Sequence, residues 1–141
     1  MKRGICAALV FCLLLSVCIP CFAEETQPAV SPRYAYIDNC DYSLNISSAG
    51  VATCRASCTA RNASYKVRVN CYFQYYNNGQ WSSYKLFTNT GYLYASVNQQ
   101  ANTISGITSY RIKVVFTIYD SADNQLESVT YYDYETYTPS T

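Results

Sequence analysis

Period-two alternation organises the middle of the chain. Ala52, Cys54, Ala56, Cys58 and Ala60 fall on one face, and Thr53, Arg55, Ser57 and Thr59 on the other. After a polar break at 61–64, Tyr65, Val67, Val69, Cys71, Phe73 and Tyr75 share one face, with Lys66, Arg68, Asn70, Tyr72, Gln74 and Tyr76 opposite. Successive side chains of a strand point to opposite sides, so the pattern predicts two half-buried strands. A strand with Tyr110, Ile112, Val114, Phe116 and Ile118 inward is predicted over 110–120, and it is the most apolar of the set. Weaker alternation predicts strands at 34–38, 42–47, 80–88, 92–97 and 125–133. Turn chemistry separates them. Gly50 and the Asn78-Gly79 pair suit the positive φ of tight turns, and Asn89-Thr90-Gly91 reads as a further turn. Positions 98–109 are polar and read as a loop.

Seven or eight strands at nearly regular spacing, with no helical period among them, predict an all-β domain. The expected architecture is an immunoglobulin-like antiparallel β-sandwich with two disulfides. A small β-barrel is the alternative.

The chain ends change the picture. Lys2 and Arg3 precede a short apolar run, and Cys21-Phe22-Ala23 precedes Glu24-Glu25. That is the layout of a secretory signal over 1–23, cleaved after Ala23 and too short for a stable membrane span. A flexible leader at 24–33, the sandwich at 34–133 and a tail at 134–141 complete the expected organisation. Localisation is then secreted, extracellular or envelope-associated, with no transmembrane segment after cleavage. Of the ten Lys and Arg, Lys2 and Arg3 leave with the signal. Eight bases then face nine acids, a formal balance of −1. Such a balance argues against a nucleic-acid partner.

Cys40, Cys54, Cys58 and Cys71 survive processing. An even number in an exported chain predicts disulfides. Cys54 and Cys58 lie on one strand about 13 Å apart, beyond the reach of a bridge. With Ser48-Ala49-Gly50 at the first turn, Cys40 falls opposite Cys58. With Asn62-Ala63 at the second, Cys54 falls opposite Cys71. Cys40–Cys58 and Cys54–Cys71 are therefore the expected pairs. In an immunoglobulin layout the second pair would bridge the sheets rather than a ladder. Four thiolates could in principle bind zinc, but paired short knuckle spacings are missing, so no metal or other cofactor is expected.

The chain has no histidine, which removes Ser–His and Cys–His dyads and His-based metal centres. Asp38 or Asp41 could meet Asp133 at one end of a sandwich as a carboxylate pair, but strand-end capping is the expected role. Asp120, Asp123, Asn124 and Glu127 lack calcium-loop spacing. A non-catalytic protein is expected.

Sixteen tyrosines, all beyond the signal, point to a surface instead. Arg68, Tyr72, Tyr76, Arg111, Tyr119 and Tyr131 are read as one outward face on neighbouring strands, with Lys66, Lys113, Thr117, Glu127 and Asp133 beside them. Tyr92 and Tyr94 could extend it. Tyrosine offers a stacking plane and a hydroxyl at low entropic cost, which suits a cell-surface glycan or a protein partner. The alternative is a structural, envelope-associated protein whose tyrosines stabilise a solvated sheet. Trp81 is expected in the core.

The run from Ile46 to Cys54, Trp81 with Tyr84 and Lys85, the strand at 110–114, Ile118-Tyr119-Asp120 and Glu127-Ser128-Val129-Thr130 resemble a group of small exported proteins of Gram-positive, clostridia-like bacteria. The resemblance spans 43–133 and implies a secreted β-sandwich without an assigned activity. The chain departs from simpler members of that group in its four cysteines and its tyrosine load. It departs from true immunoglobulin domains in having no cysteine over 110–120.

Overall fold

The computed structural model describes residues 34–139, so the expected signal and leader lie outside the described residues. Seven strands follow in order: β1 (Ile37–Ile46), β2 (Val51–Ala60), β3 (Lys66–Asn77), β4 (Gln80–Tyr92), β5 (Tyr94–Asn102), β6 (Ser109–Tyr119) and β7 (Gln125–Thr136). All pairings are antiparallel, in a three-stranded sheet β1-β2-β5 and a four-stranded sheet β4-β3-β6-β7. Among the described residues no helix is long and apolar enough to cross a membrane.

The two sheets meet through unequal side chains. The small sheet contributes Ala52, Cys54, Ala56, Cys58 and Ala60 from β2, all buried. The larger sheet contributes Val67, Val69, Cys71 and Phe73 from β3 and Tyr110, Ile112, Val114, Phe116 and Ile118 from β6. Short side chains opposite long ones let the two layers interlock. Phe73 and Tyr110 stack with centroids 5.3 Å apart.

The first hairpin has the expected register, Cys40 opposite Cys58. The expected ladder between the second and third strands does not form. The turn after β2 carries the chain into the other sheet, so Cys54 and Cys71 approach across the interface between layers. The segments 34–38 and 42–47 merge into β1, with a register shift between Ile37 and Asn39. The loop expected at 98–109 shortens, because β5 runs to Asn102, and β7 enters the expected tail.

No turn forms at Asn89-Thr90-Gly91. The strand continues to Tyr92, and a corner at Leu93 with φ of 63° passes the chain into the other sheet. Leu93 bonds both layers there: its N–H donates to Tyr65 at 2.9 Å, and its carbonyl accepts from Ala60 at 2.7 Å. Gly91 is required at this corner, because a Cβ would lie 2.3 Å from the Tyr94 carbonyl oxygen.

At the opposite side, β7 closes onto β1 through two carboxylates. Glu127 Oε2 accepts from the backbone N–H of Tyr36 at 2.9 Å and of Ile37 at 3.0 Å. Asp133 Oδ2 accepts from Leu44 N–H at 2.7 Å. Tyr131 stacks on Tyr42 between them, 4.9 Å from centroid to centroid.

Candidate surface site

The outward face of the four-stranded sheet follows from parity. The outward positions of β3 are Lys66, Arg68, Asn70, Tyr72, Gln74 and Tyr76, alternating with the buried Val67, Val69, Cys71 and Phe73. Arg111 and Lys113 share this face on β6, opposite Gln74 and Tyr72 in register. Tyr134 and Tyr132 lie opposite them on β7. A bulge in β4 opposite Phe73 and Gln74 resets its phase, so that Trp81 and Ser83 point outward at one end and Leu86, Thr88 and Thr90 beyond it.

Arg111 is the centre of this surface. Its guanidinium carbon lies 4.3 Å from the Trp81 ring centroid, 4.6 Å from Tyr132 and 5.8 Å from Tyr134. Its Nε donates to Gln74 Oε1 at 2.8 Å, and Gln74 Nε2 donates to Ser83 Oγ at 2.9 Å. Gln74 is thereby buried on a nominally solvent-facing side, with both ends of its amide satisfied. Trp81 packs edge-on against Tyr134 at 5.7 Å and tilts against Tyr76 at 5.1 Å. Tyr76, Tyr132 and Tyr134 remain 44%, 40% and 56% exposed, so the array is anchored below and open above. A cation over a ring is worth about 0.5–1 kcal/mol at an exposed position. Several rings around one guanidinium fix that side chain firmly.

A second cluster sits at the far end of the same face. Arg68 lies over Tyr119 at 5.1 Å and donates to its hydroxyl at 3.2 Å. Lys66 covers the same ring at 5.5 Å and is ion-paired with Asp123. Lys113 lies 5.8 Å from the Tyr72 ring.

Five of the six residues expected on the face share it: Arg68, Tyr72, Tyr76, Arg111 and Tyr119. Tyr131 does not. A register shift near Ile118 sets Val129 opposite Phe116 and Tyr131 opposite Val114. Tyr131, Asp133 and Glu127 therefore turn toward the core and the β1 seam. Tyr132, Tyr134 and Trp81 take the outward positions instead. Trp81 is correspondingly not in the core. Val129, the one β-branched aliphatic residue of that strand, carried the phase in the sequence. Tyr92 is on this face opposite Lys66, whereas Tyr94, past the corner, is on the other sheet.

The carboxylates are engaged separately. Asp120 accepts from the backbone N–H groups of Ala122 and Asn124 and from the Asn124 amide, which holds its carboxyl below the ordinary range. Asp41 accepts from Asn39 at 2.8 Å on the opposite face of the molecule from this site. Among the described residues no group of three or more Cys, Asp or Glu is placed to hold a metal ion.

The cysteines form two facing pairs. Cys40 Sγ lies 3.4 Å from Cys58 Sγ. The Cys54 thiol meets that of Cys71 within hydrogen-bond reach. The neighbouring thiol, and then burial, pushes the Cys40 and Cys54 thiols well above the ordinary pKa. Cys40 and Cys54 are therefore poor nucleophiles while reduced.

The chain matches no family model, no curated protein and no solved structure.

Proposed function

We propose that this is a secreted, non-catalytic domain of immunoglobulin-like layout that recognises a surface glycan through the outward face of β4-β3-β6-β7. The layout reading is supported by the strand order and by Tyr110. Near the start of β6, its hydroxyl accepts from Ile104 N–H at 2.8 Å and reaches the Ile104 carbonyl at 3.1 Å, as in a tyrosine corner. The recognition reading is carried by one observation: a half-open array of Trp81, Tyr76, Tyr132 and Tyr134 held rigid around Arg111. Rings fixed before binding lose little freedom on contact, and their faces stack on pyranose C–H surfaces while the hydroxyls hydrogen-bond.

The facing thiols support closure as Cys40–Cys58 and Cys54–Cys71 in an oxidising compartment. Each bridge would then contribute about 3 kcal/mol for loops of this length. Peptide mapping of the exported chain under non-reducing conditions tests this; free thiols at all four positions would remove it.

The recognition test is retention on purified cell wall, mucin and insoluble polysaccharides, with competition by soluble fragments. Tyr134→Ala and Tyr132→Ala should lose retention while keeping the fold. Retention unchanged in both variants would overturn the assignment of the face. The second reading, a structural envelope protein, is favoured by the same Arg111 contacts, because they satisfy the guanidinium without a ligand. Capture of a protein partner in place of any glycan would move the site to protein recognition.

A further inference from the structure

The distribution of charge over the sandwich carries the proposed recognition one step further. No outward strand position of β4-β3-β6-β7 holds a carboxylate, although Lys66, Arg68, Arg111 and Lys113 all lie there. Among the described residues the acids lie elsewhere. Asp41 is on the opposite face, Glu127 and Asp133 are on the β1 seam, and Asp123 reaches only Lys66, from the turn after β6. This is segregation rather than composition, since the processed chain would carry more acids than bases.

The cations are also interleaved with rings. Lys113 sits between Tyr72 and Tyr132 on its neighbouring strands, and Arg111 between Gln74 and Tyr134. Arg111 and Lys113 are two residues apart on one face of β6, about 7 Å along the strand. Among the described residues no acid relieves their mutual repulsion, and Lys113 makes no hydrogen bond or ion pair. An anion seated between them would relieve it.

We infer that the ligand of this face is an acidic polysaccharide, one whose sugar rings stack on the tyrosines and whose carboxylate or sulfate groups reach Lys113 and its neighbours. The inference rests on the glycan reading above. A single-stranded nucleic acid also combines stacking with negative charge, but it calls for a basic groove that tracks a charge at every nucleotide. Here the cations are four and lie on an open sheet.

The test compares polymers that share a backbone and differ in charge. Polygalacturonate is set against its methyl ester, and dextran sulfate against dextran, in affinity electrophoresis of the purified chain at low and high salt. Oligo(dT) serves as the competing class. The expected result is at least about tenfold tighter binding of one acidic form than of its uncharged counterpart, lost at high salt. Lys113→Gln should remove that preference, bringing the acidic polymer down toward the affinity of its uncharged counterpart. Lys113→Arg should keep it, and Tyr134→Ala should weaken both. Equal binding of charged and uncharged forms would overturn the acidic ligand and leave the glycan face standing. Binding of none of the four saccharides would overturn both, and tighter binding of oligo(dT) would overturn the saccharide assignment.

Discussion

On the outer face of β1-β2-β5 the cross-strand rows read Asp41–Ser57–Ser96, Ser43–Arg55–Asn98 and Asn45–Thr53–Gln100. On the outer face of β4-β3-β6-β7 they read Ser83–Gln74–Arg111–Tyr134 and Leu86–Tyr72–Lys113–Tyr132. Both faces use the same pleat, and each holds an arginine near its middle. Arg55 is exposed and, among the described residues, makes no hydrogen bond or ion pair. Arg111 is held by three rings and two side-chain hydrogen bonds. The small sheet therefore depends on the core beneath it, while the large sheet carries a second, outer layer of packing. What separates a solvated charge from a fixed one is the length and aromaticity of its cross-strand neighbours.

Adjacent tyrosines of β7 give the sharpest way to break this comparison. Tyr131→Ala should cost about 3 kcal/mol, because it empties packing against Tyr42 and Phe116. Tyr132→Ala should cost about 1 kcal/mol or less and act on binding instead. Chemical denaturation of both variants checks the pair, and equal losses would mean that inner and outer layers are not distinct. Gly91→Ala, at the corner joining the sheets, should cost about 2 kcal/mol by forcing the backbone away from Tyr94, and it should perturb both faces. Arg111→Ala should cost about 2 kcal/mol, since it strands the buried Gln74 amide, whereas Arg55→Ala should stay within about 0.5 kcal/mol. If the two arginine variants melt alike, the outer layer on the large sheet contributes nothing.

The smallest effect is one of pH and should spare the difference between faces. Burial raises the Tyr110 hydroxyl above its ordinary pKa of 10.0. The folded state thus favours the neutral phenol. Its contribution is complete below pH 10 and is lost as pH rises from there through the raised folded value. Melting temperature should decline above pH 10, and Tyr110→Phe, less stable overall, should show a shallower decline.

The sequence was most readable where apolar and polar residues contrast. The alternation of β2, β3 and β6 gave the inner faces, and the turn at Gly50 gave the Cys40–Cys58 register. Legibility failed where that contrast vanishes. In β7 a run of tyrosines looks alike from either phase, and only Val129 distinguished them. In β4 the turn at Asn78-Gly79 sets Trp81 opposite the outward Tyr76, while a bulge farther along turns Phe87 inward, which no local pattern announces. Gly91 read as a turn residue because glycine is common in turns, yet here it clears space for the Tyr94 carbonyl while the strand runs on. The cation–aromatic array was partly legible, as Arg68, Tyr72, Tyr76, Arg111 and Tyr119. Its other half came from residues whose phase only register could decide.

The carboxylates on the β1 seam have a consequence for crowded solutions. An edge strand offers a row of free donors on which a foreign strand can grow into a fibre. Along β1 those donors are met at two points, near Ile37 by Glu127 and at Leu44 by Asp133. A neighbouring chain approaching that edge finds negative charge where it needs open N–H groups. The same two side chains that fasten one molecule shut therefore also keep molecules apart, a protection against aggregation for a protein rich in β-forming tyrosine.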